Sequence, residues 1–222
     1  MDARFAPDRA RLAGRGSYGA VDAGGVVTPR IRRGWLQVRS RGWSWIAGDL
    51  RADAGSGLLV GDALGRTREG WARRPRLGTI RGRGDVTELD PWRALGVRMN
   101  GTRFGGWVVA GRRSDAGWRA VFSSRWRGVD DAAWGIVGRI DSDGHGLSTW
   151  LRRPLDRLQE LWIAGAAGSG SAATTFGWTA RGPGWRLETA ATRAGRATVQ
   201  GRDPVTLATL DRPHAAWQTR GR

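Results

Sequence analysis

The sequence predicts an all-β chain: an antiparallel up-and-down meander of the outer-membrane barrel type, or an incomplete barrel fragment, of about 10–12 strands. Three observations carry this expectation. Apolar and polar residues alternate with period two from Trp35 to about Arg193, and turn residues break the alternation at short intervals. Glycine, at 36 of 222 residues, argues against long helices, because each interior Gly costs a helix about 1 kcal/mol. Tryptophan, at 14 residues, argues against disorder, since disordered chains are poor in aromatic side chains.

Taken in order, residues 1–34 are Gly- and Arg-rich with weak periodicity. They are expected to be irregular, with one short strand near Gly24–Val27. Residues 35–222 are expected to form the meander domain. Leu95, Val97 and Met99 fall on one face of a strand, and Arg98 and Asn100 on the other. Asn100-Gly101 then predicts a type I′ hairpin turn, since both residues tolerate positive φ. The return strand sets Phe104, Val108 and Ala110 against Arg103, Trp107 and Val109, and a turn follows at Ser114-Asp115-Ala116-Gly117. Trp118, Ala120, Phe122, Ser124 and Trp126 share the next apolar face. Beyond Asp130-Asp131, the residues Ala132, Trp134, Ile136, Gly138 and Ile140 repeat the scheme opposite Arg139 and Asp141.

The alternation recurs through 147–152, 158–167, 172–181 and 185–193. Asp141-Ser142-Asp143-Gly144, Gly168-Ser169-Gly170 and Gly182-Pro183-Gly184 punctuate it. Pro154–Leu161 is the one tolerable helix candidate and reads better as an edge strand or a single turn. The tail beyond Gly201 is poorly patterned. Trp118 and Trp126 bracket a strand whose extended length is roughly 26 Å. Tilted, it spans most of the ~25 Å apolar band of an outer-membrane barrel, with tryptophan at both margins. Trp118, Trp126, Trp134 and Trp178 are therefore candidate membrane-interface aromatics; core positions in a soluble sandwich or barrel are the competing reading.

The chain carries a formal charge of +17 and a pI of about 11.8, and all of its 37 basic residues are arginine. Codon bias and selection for a bidentate guanidinium fork both account for the missing lysine. Either way the charge favours polyanions: nucleic acid, lipopolysaccharide phosphates or acidic lipids. Arg112, Arg119, Arg125, Arg139 and Arg152 fall mostly opposite the apolar faces and are the candidate anion-binding set. In a soluble domain they make a solvated basic face; in a barrel they line the lumen and favour anions. A nucleic-acid grip by phosphate pairing and base stacking needs Trp and Arg on one face, whereas most of them alternate onto opposite faces.

Other motifs read as structure. Gly168-Ser169-Gly170-Ser171-Ala172-Ala173 fits a dinucleotide fingerprint only in spelling, because strand residues and not a helix follow. Asp141-Ser142-Asp143-Gly144 resembles the start of a calcium loop but lacks the later Glu. His145 and His214 lie far apart without cysteine partners, so no zinc spacing exists. No nucleophile elbow or triad is suggested. No metal, cofactor or catalytic residue is expected. With no cysteine there is no disulfide framework. The N-terminus has no apolar stretch of the signal-peptide kind, and no run of about 18 apolar residues occurs.

Gly48-Asp49-Leu50-Arg51, followed by Gly55-Ser56-Gly57-Leu58-Leu59-Val60-Gly61-Asp62-Ala63-Leu64-Gly65 and then by Thr79-Ile80-Arg81-Gly82, is similar to a known pattern. It resembles the barrel-like region of large bacterial proteins that also carry competence-type helix-hairpin-helix domains. The match is concentrated between Trp43 and about Met99 and is moderately specific. The resemblance implies an outer-membrane β-barrel, located there as part of a secreted precursor, and it carries over no catalytic residue. This sequence has no helix-hairpin-helix run and no terminal aromatic strand, so a fragment or a divergent relative is expected. Two readings follow: a membrane barrel with a structural or pore role and an Arg-rich polar face, or a soluble basic module binding nucleic acid or other polyanions.

Overall fold

The computed structural model describes residues 12–28, 32–55, 59, 74–82, 92–113, 117–142, 144–168, 171–183, 185–194 and 214–221. Fourteen strands make one antiparallel sheet. They are β1 (Leu12–Tyr18), β2 (Val21–Val27), β3 (Arg32–Ser40), β4 (Trp43–Gly55), β5 (Arg76–Gly82), β6 (Trp92–Asn100) and β7 (Phe104–Arg113). Then come β8 (Gly117–Arg127), β9 (Ala133–Asp141), β10 (Gly144–Pro154), β11 (Gln159–Gly168), β12 (Ser171–Gly182), β13 (Trp185–Ala194) and β14 (His214–Gly221). All except β5 follow one another side by side as a meander, and β5 pairs only with β4. Thirteen strands thus form the wall, so its two edge strands, β1 and β14, run in the same direction. Among the described residues no ladder joins them. A single 3-10 turn, Val129–Asp131, is the only helical element among the described residues.

Between its rims the wall's outer surface carries no charge among the side chains described, and the pairing register makes this visible row by row. One cross-strand row reads Val21, Val38, Trp45, Val97, Val108, Phe122, Gly138, Leu147 and Ala167. Another reads Phe104, Trp126, Trp134, Leu151, Ile163, Phe176 and Ala191. These are large apolar groups left uncovered: Trp45 is 51% exposed, Val108 47%, Leu147 50% and Phe176 50%. A water-soluble sheet would leave such a surface only as an interaction site, because contiguous apolar patches beyond a few hundred Å² are rare on monomers. Among the side chains described, outward-pointing charges occur at the two rims. At the rim where β4 turns inward (the hairpin rim) they are Arg32, Asp49, Arg93 and Arg112; at the opposite, tight-turn rim it is Arg153.

The inner surface is built differently. It carries Asp22, Arg33, Arg98, Arg119, Ser123, Arg125, Arg139, Asp141, Ser148, Arg152, Glu160, Thr175 and Thr179, and much of it is covered by the chain itself. The covering element starts at Gly48. The β3–β4 ladder stops at Trp35–Gly48, where Gly48 adopts φ +111° and a Cβ would stand 2.2 Å from the Gly34 carbonyl oxygen. The next residue supplies the missing acceptor: the Gly34 amide donates to Asp49 Oδ2 at 2.7 Å. Past this point β4 leaves the wall. Leu50 pairs with Trp92 of β6 on one side and Gly82 of β5 on the other, and the ladder continues inward through Arg51–Arg81, Ala52–Ile80 and Asp53–Thr79. Gly-Asp-Leu-Arg is therefore a strand-splitting device, a role that its resemblance to other sequences did not reveal.

The inserted hairpin is held by apolar burial and by polar contacts to the wall. Leu50, Ala52, Ala54, Leu77 and Ile80 pack with Trp92, Trp107, Val109, Val121 and Val137 as one cluster. Burying a side chain the size of Leu77 or Ile80 is worth about 1.5–3 kcal/mol. The Leu77 carbonyl accepts from Trp107 Nε1 at 3.0 Å and from Ser123 Oγ at 2.8 Å. Gly78, at φ +78°, lets β5 lie against β4 where a Cβ would meet Asp53 O at 1.8 Å.

The all-β meander agrees with the sequence, but particular elements differ. The wall's thirteen strands lie close to the expected count of about 10–12. Residues 12–27, read as irregular apart from a short strand near Gly24, form the two strands β1 and β2. There Gly14 and Gly16 occupy the outward positions of β1, so a side-chain pattern is missing even though the backbone pairs fully with β2. His214–Gly221, in the poorly patterned tail, pairs with β13. Asn100-Gly101 does not make a type I′ turn: neither residue has positive φ, and Gly101–Arg103 form a longer connection. Of the two readings of Pro154–Leu161, an edge strand or a single turn, the structure shows the turn. Residues 155–158 bend under the Asp156 carboxylate, which accepts from the amides of Leu158 and Gln159, before β11 begins. Tryptophan is not confined to the oily side. Trp92, Trp107, Trp150 and Trp162 point inward and are at most 8% exposed, because the inserted hairpin and neighbouring inward side chains give them a core to fill.

Candidate functional site

The five arginines singled out by sequence do not act as one set. Arg119 and Arg139 belong to the inner face, and Asp141, two positions along from Arg139, neutralises both. Arg119 Nη2 lies 3.0 Å and Arg139 Nε 3.3 Å from Asp141 Oδ2. The three side chains are 12%, 5% and 1% exposed, so this triad is committed to the wall. Arg152 shares Glu160 with Arg74, which reaches the wall from the segment that leads into β5. Arg74 Nε donates to Glu160 Oε1 at 2.6 Å, and Arg152 Nη2 donates to Glu160 Oε2 at 3.1 Å. Arg152 Nη1 also donates to the Pro75 carbonyl at 3.3 Å. Glu160 is thus a latch between the inserted segment and strands β10 and β11. Arg112 departs from the expectation. It stands directly opposite Trp118 and Arg93, on the outer surface at the hairpin rim. Its position parity, shared with Val108 and Ala110, dictates this.

Arg125 is the inward member of the set without a carboxylate among the described residues, and two arginines not singled out by sequence, Arg98 of β6 and Arg127 at the end of β8, act on its charge. Arg98 Nε donates to Asn100 Oδ1 at 2.8 Å. Among the described residues no carboxylate forms an ion pair with Arg98, Arg125 or Arg127. The cluster sits where the inserted hairpin meets the wall. Arg125 lies in register with Gly105 of β7. A Cβ on Gly105 would touch Leu77 Cδ2 at 3.2 Å and Arg125 Nη2 at 3.7 Å, so the guanidinium reaches over this glycine to the margin of the hairpin. Guanidiniums that share one stretch of the inner face without counter-charge repel one another and attract an oxyanion, which each can bind as a planar fork. The signal in the sequence was available, since Arg98 and Arg127 share the inward parity of their strands.

The aromatic candidates all lie on the outer surface. Trp118 is 69% exposed at the hairpin rim. Trp126 stacks on Trp134 with centroids 4.2 Å apart, and Phe104 tilts against Trp126 at 5.1 Å, at the tight-turn rim. Trp178 Nε1 donates to Gln159 Oε1 at 3.2 Å near the same rim. Aromatic groups thus border the apolar rows above and below. The motifs read as turns flank strands: Gly168 ends β11 and Ser171 opens β12, and His145 is exposed on β10. Ser169, Gly170, Asp143 and the side chain of His214 lie outside the described residues.

An open-sided antiparallel wall with an apolar exterior, aromatic margins and a charged, partly filled interior is the architecture of an outer-membrane-type β-barrel. The comparison with solved structures agrees. The chain is similar to OpdQ of Pseudomonas aeruginosa, an outer-membrane porin, with a TM-score of 0.61 over 96% of this chain and 67% of that one, at 11% sequence identity. At that identity the likeness concerns the fold. No family model matches the chain, and the search of curated proteins found no match.

Proposed function

We propose that the chain is an outer-membrane β-barrel protein with a structural or pore role, whose lumen the β4–β5 hairpin narrows and whose Arg98–Arg125–Arg127 cluster favours anions. The observation that carries this reading is the outer surface: apolar rows run across the wall, and among the side chains described charge lies at the rims. A charge at mid-depth on a lipid face costs about 2–4 kcal/mol, which accounts for the pattern, whereas a soluble sheet has no reason to exclude charge from its exposed face. The similarity of Gly48–Arg51 and Thr79–Gly82 to barrel regions of bacterial proteins with competence-type helix-hairpin-helix domains supports the same placement. A closed antiparallel wall takes an odd number of further strands between β14 and β1. The inner tryptophans are unsuited to stacking nucleobases, since Trp107, Trp150 and Trp162 are at most 4% exposed.

The test is reconstitution. The chain is expected to require detergent, to shift its gel mobility on heating, and to pass chloride in preference to potassium across a planar bilayer. Arg125→Gln and Arg98→Gln should each reduce that preference while leaving the wall intact. Full solubility as a monomer without detergent would remove the membrane reading. Unchanged ion preference in the double variant would remove the role given to the cluster.

A further inference from the structure

At the hairpin rim, one outward row reads Asp49, Arg93, Arg112, Trp118. Arg93 and Arg112 stand directly opposite each other, an arrangement that like charges disfavour. Asp49 answers only part of this. Its carboxylate is committed to the Gly34 amide, and it approaches Arg93 Nε at 3.6 Å. Among the described residues no carboxylate pairs with Arg112. Arg93 is 75% exposed along its side chain, and Trp118, the next in the row, is 69% exposed. Arg32 of β3 joins the same edge, where it lines with Asp49, Gly34 and Arg93 a cavity of about 420 Å³.

The row immediately below is shaped to complement it. It reads Leu36, Ala47, Leu95, Ala110, Ala120 and Ile140. Leu95 and Ile140, 54% and 64% exposed, stand up on either side of Ala110 and Ala120, which lie directly beneath Arg112 and Trp118. The result is a shallow apolar dip one row deep and two strands wide beneath a pair of cations and an indole, with Val108 and Phe122 standing up in the next row. A phosphate neutralises the opposed guanidiniums, the indole packs at the level of a glycerol backbone, and a hydrocarbon chain starts in the dip and continues over the apolar rows.

We propose that the Arg93–Arg112–Trp118 row, with Arg32 beside it, holds the phosphate of a membrane lipid headgroup whose acyl chain leaves it over the Ala110–Ala120 dip. This rests on the membrane reading given above and names the lipid contact within it.

The experiment is native mass spectrometry of the full chain in dodecyl maltoside micelles. Phosphatidylglycerol is compared with a diacylglycerol of the same chains and with inorganic phosphate as competitor. The wild-type chain is expected to retain phosphatidylglycerol, to release the diacylglycerol, and to resist displacement by inorganic phosphate. Arg112→Gln should weaken retention about fivefold and Arg93→Gln with Arg112→Gln about 25-fold, at about fivefold per interfacial guanidinium. Arg153→Gln, outward at the opposite rim, should leave it unchanged. Equal retention by the double variant, equal retention of the diacylglycerol, or displacement by inorganic phosphate each overturns the lipid-phosphate site while the barrel stands. A wild-type chain that never enters the micelle overturns both.

Discussion

Replacing Glu160 by Gln removes one negative charge from between two guanidiniums. The carboxylate accepts from Arg74 Nε at 2.6 Å and from Arg152 Nη2 at 3.1 Å, and its side chain is 8% exposed. Breaking a fully buried ion pair from one side costs about 3–5 kcal/mol. Here Arg74 and Arg152 are 26% and 22% exposed, so water relieves part of the loss, and Arg152 keeps its bond to the Pro75 carbonyl. A cost of about 2–3 kcal/mol remains, roughly 30- to 150-fold in an equilibrium constant. That cost should fall on docking of the inserted segment, because Arg74 is its attachment to β11. Hydrogen exchange of the β5 amides, Thr79 above all, should quicken by that factor while β7 to β12 exchange as before. Adding Arg152→Gln should recover part of the loss by relieving the repulsion. If β5 exchange is unchanged, or if every strand quickens together, the latch is refuted.

Three further perturbations follow from the same geometry. Gly78→Ala places a Cβ 1.8 Å from Asp53 O at a φ of +78°, so the hairpin should lose at least about 2 kcal/mol, read as faster exchange in β5 and larger single-channel conductance. Asp49→Ala strands the Gly34 amide and should cost about 1–3 kcal/mol in urea unfolding, whereas Asp49→Asn keeps an acceptor and should cost less; equal losses would contradict the splitting role. Val108→Arg, in the middle of the outer rows, should destabilise the chain folded in liposomes by about 2–4 kcal/mol, far beyond the loss expected at an exposed site in water.

Much of the wall was legible because its two faces differ in chemistry. Val108, Phe122 and Leu147 alternate with Trp107, Ser123 and Ser148, and such a strand can sit only one way round. The inserted hairpin was not legible. Thr79-Ile80-Arg81 carries the same alternation as a wall strand, and what diverts it is a backbone event at Gly48 together with a side-chain acceptor at Asp49. Nor could charge pairing be read along the chain, since Arg74 meets Glu160 across a separation of 86 residues. Arg112 is a different case. Its parity with Ala110 placed it outside from the start, and grouping it with the inward arginines by residue type alone concealed a rim feature. The glycine-rich β1 was obscured because glycine contributes pairing without pattern.

Spin labels test the orientation of the wall most directly. Single cysteines carry the label at Val108, Phe122 and Leu147 on the outer rows, and at Ser148 and Thr175 on the inner face, with the chain folded in lipid vesicles. Outer labels should relax with dissolved oxygen and be shielded from a water-soluble nickel chelate, with inner labels showing the reverse preference. Nickel reaching positions 108, 122 and 147 as readily as 148 and 175 would contradict a wall that turns its oily side to lipid.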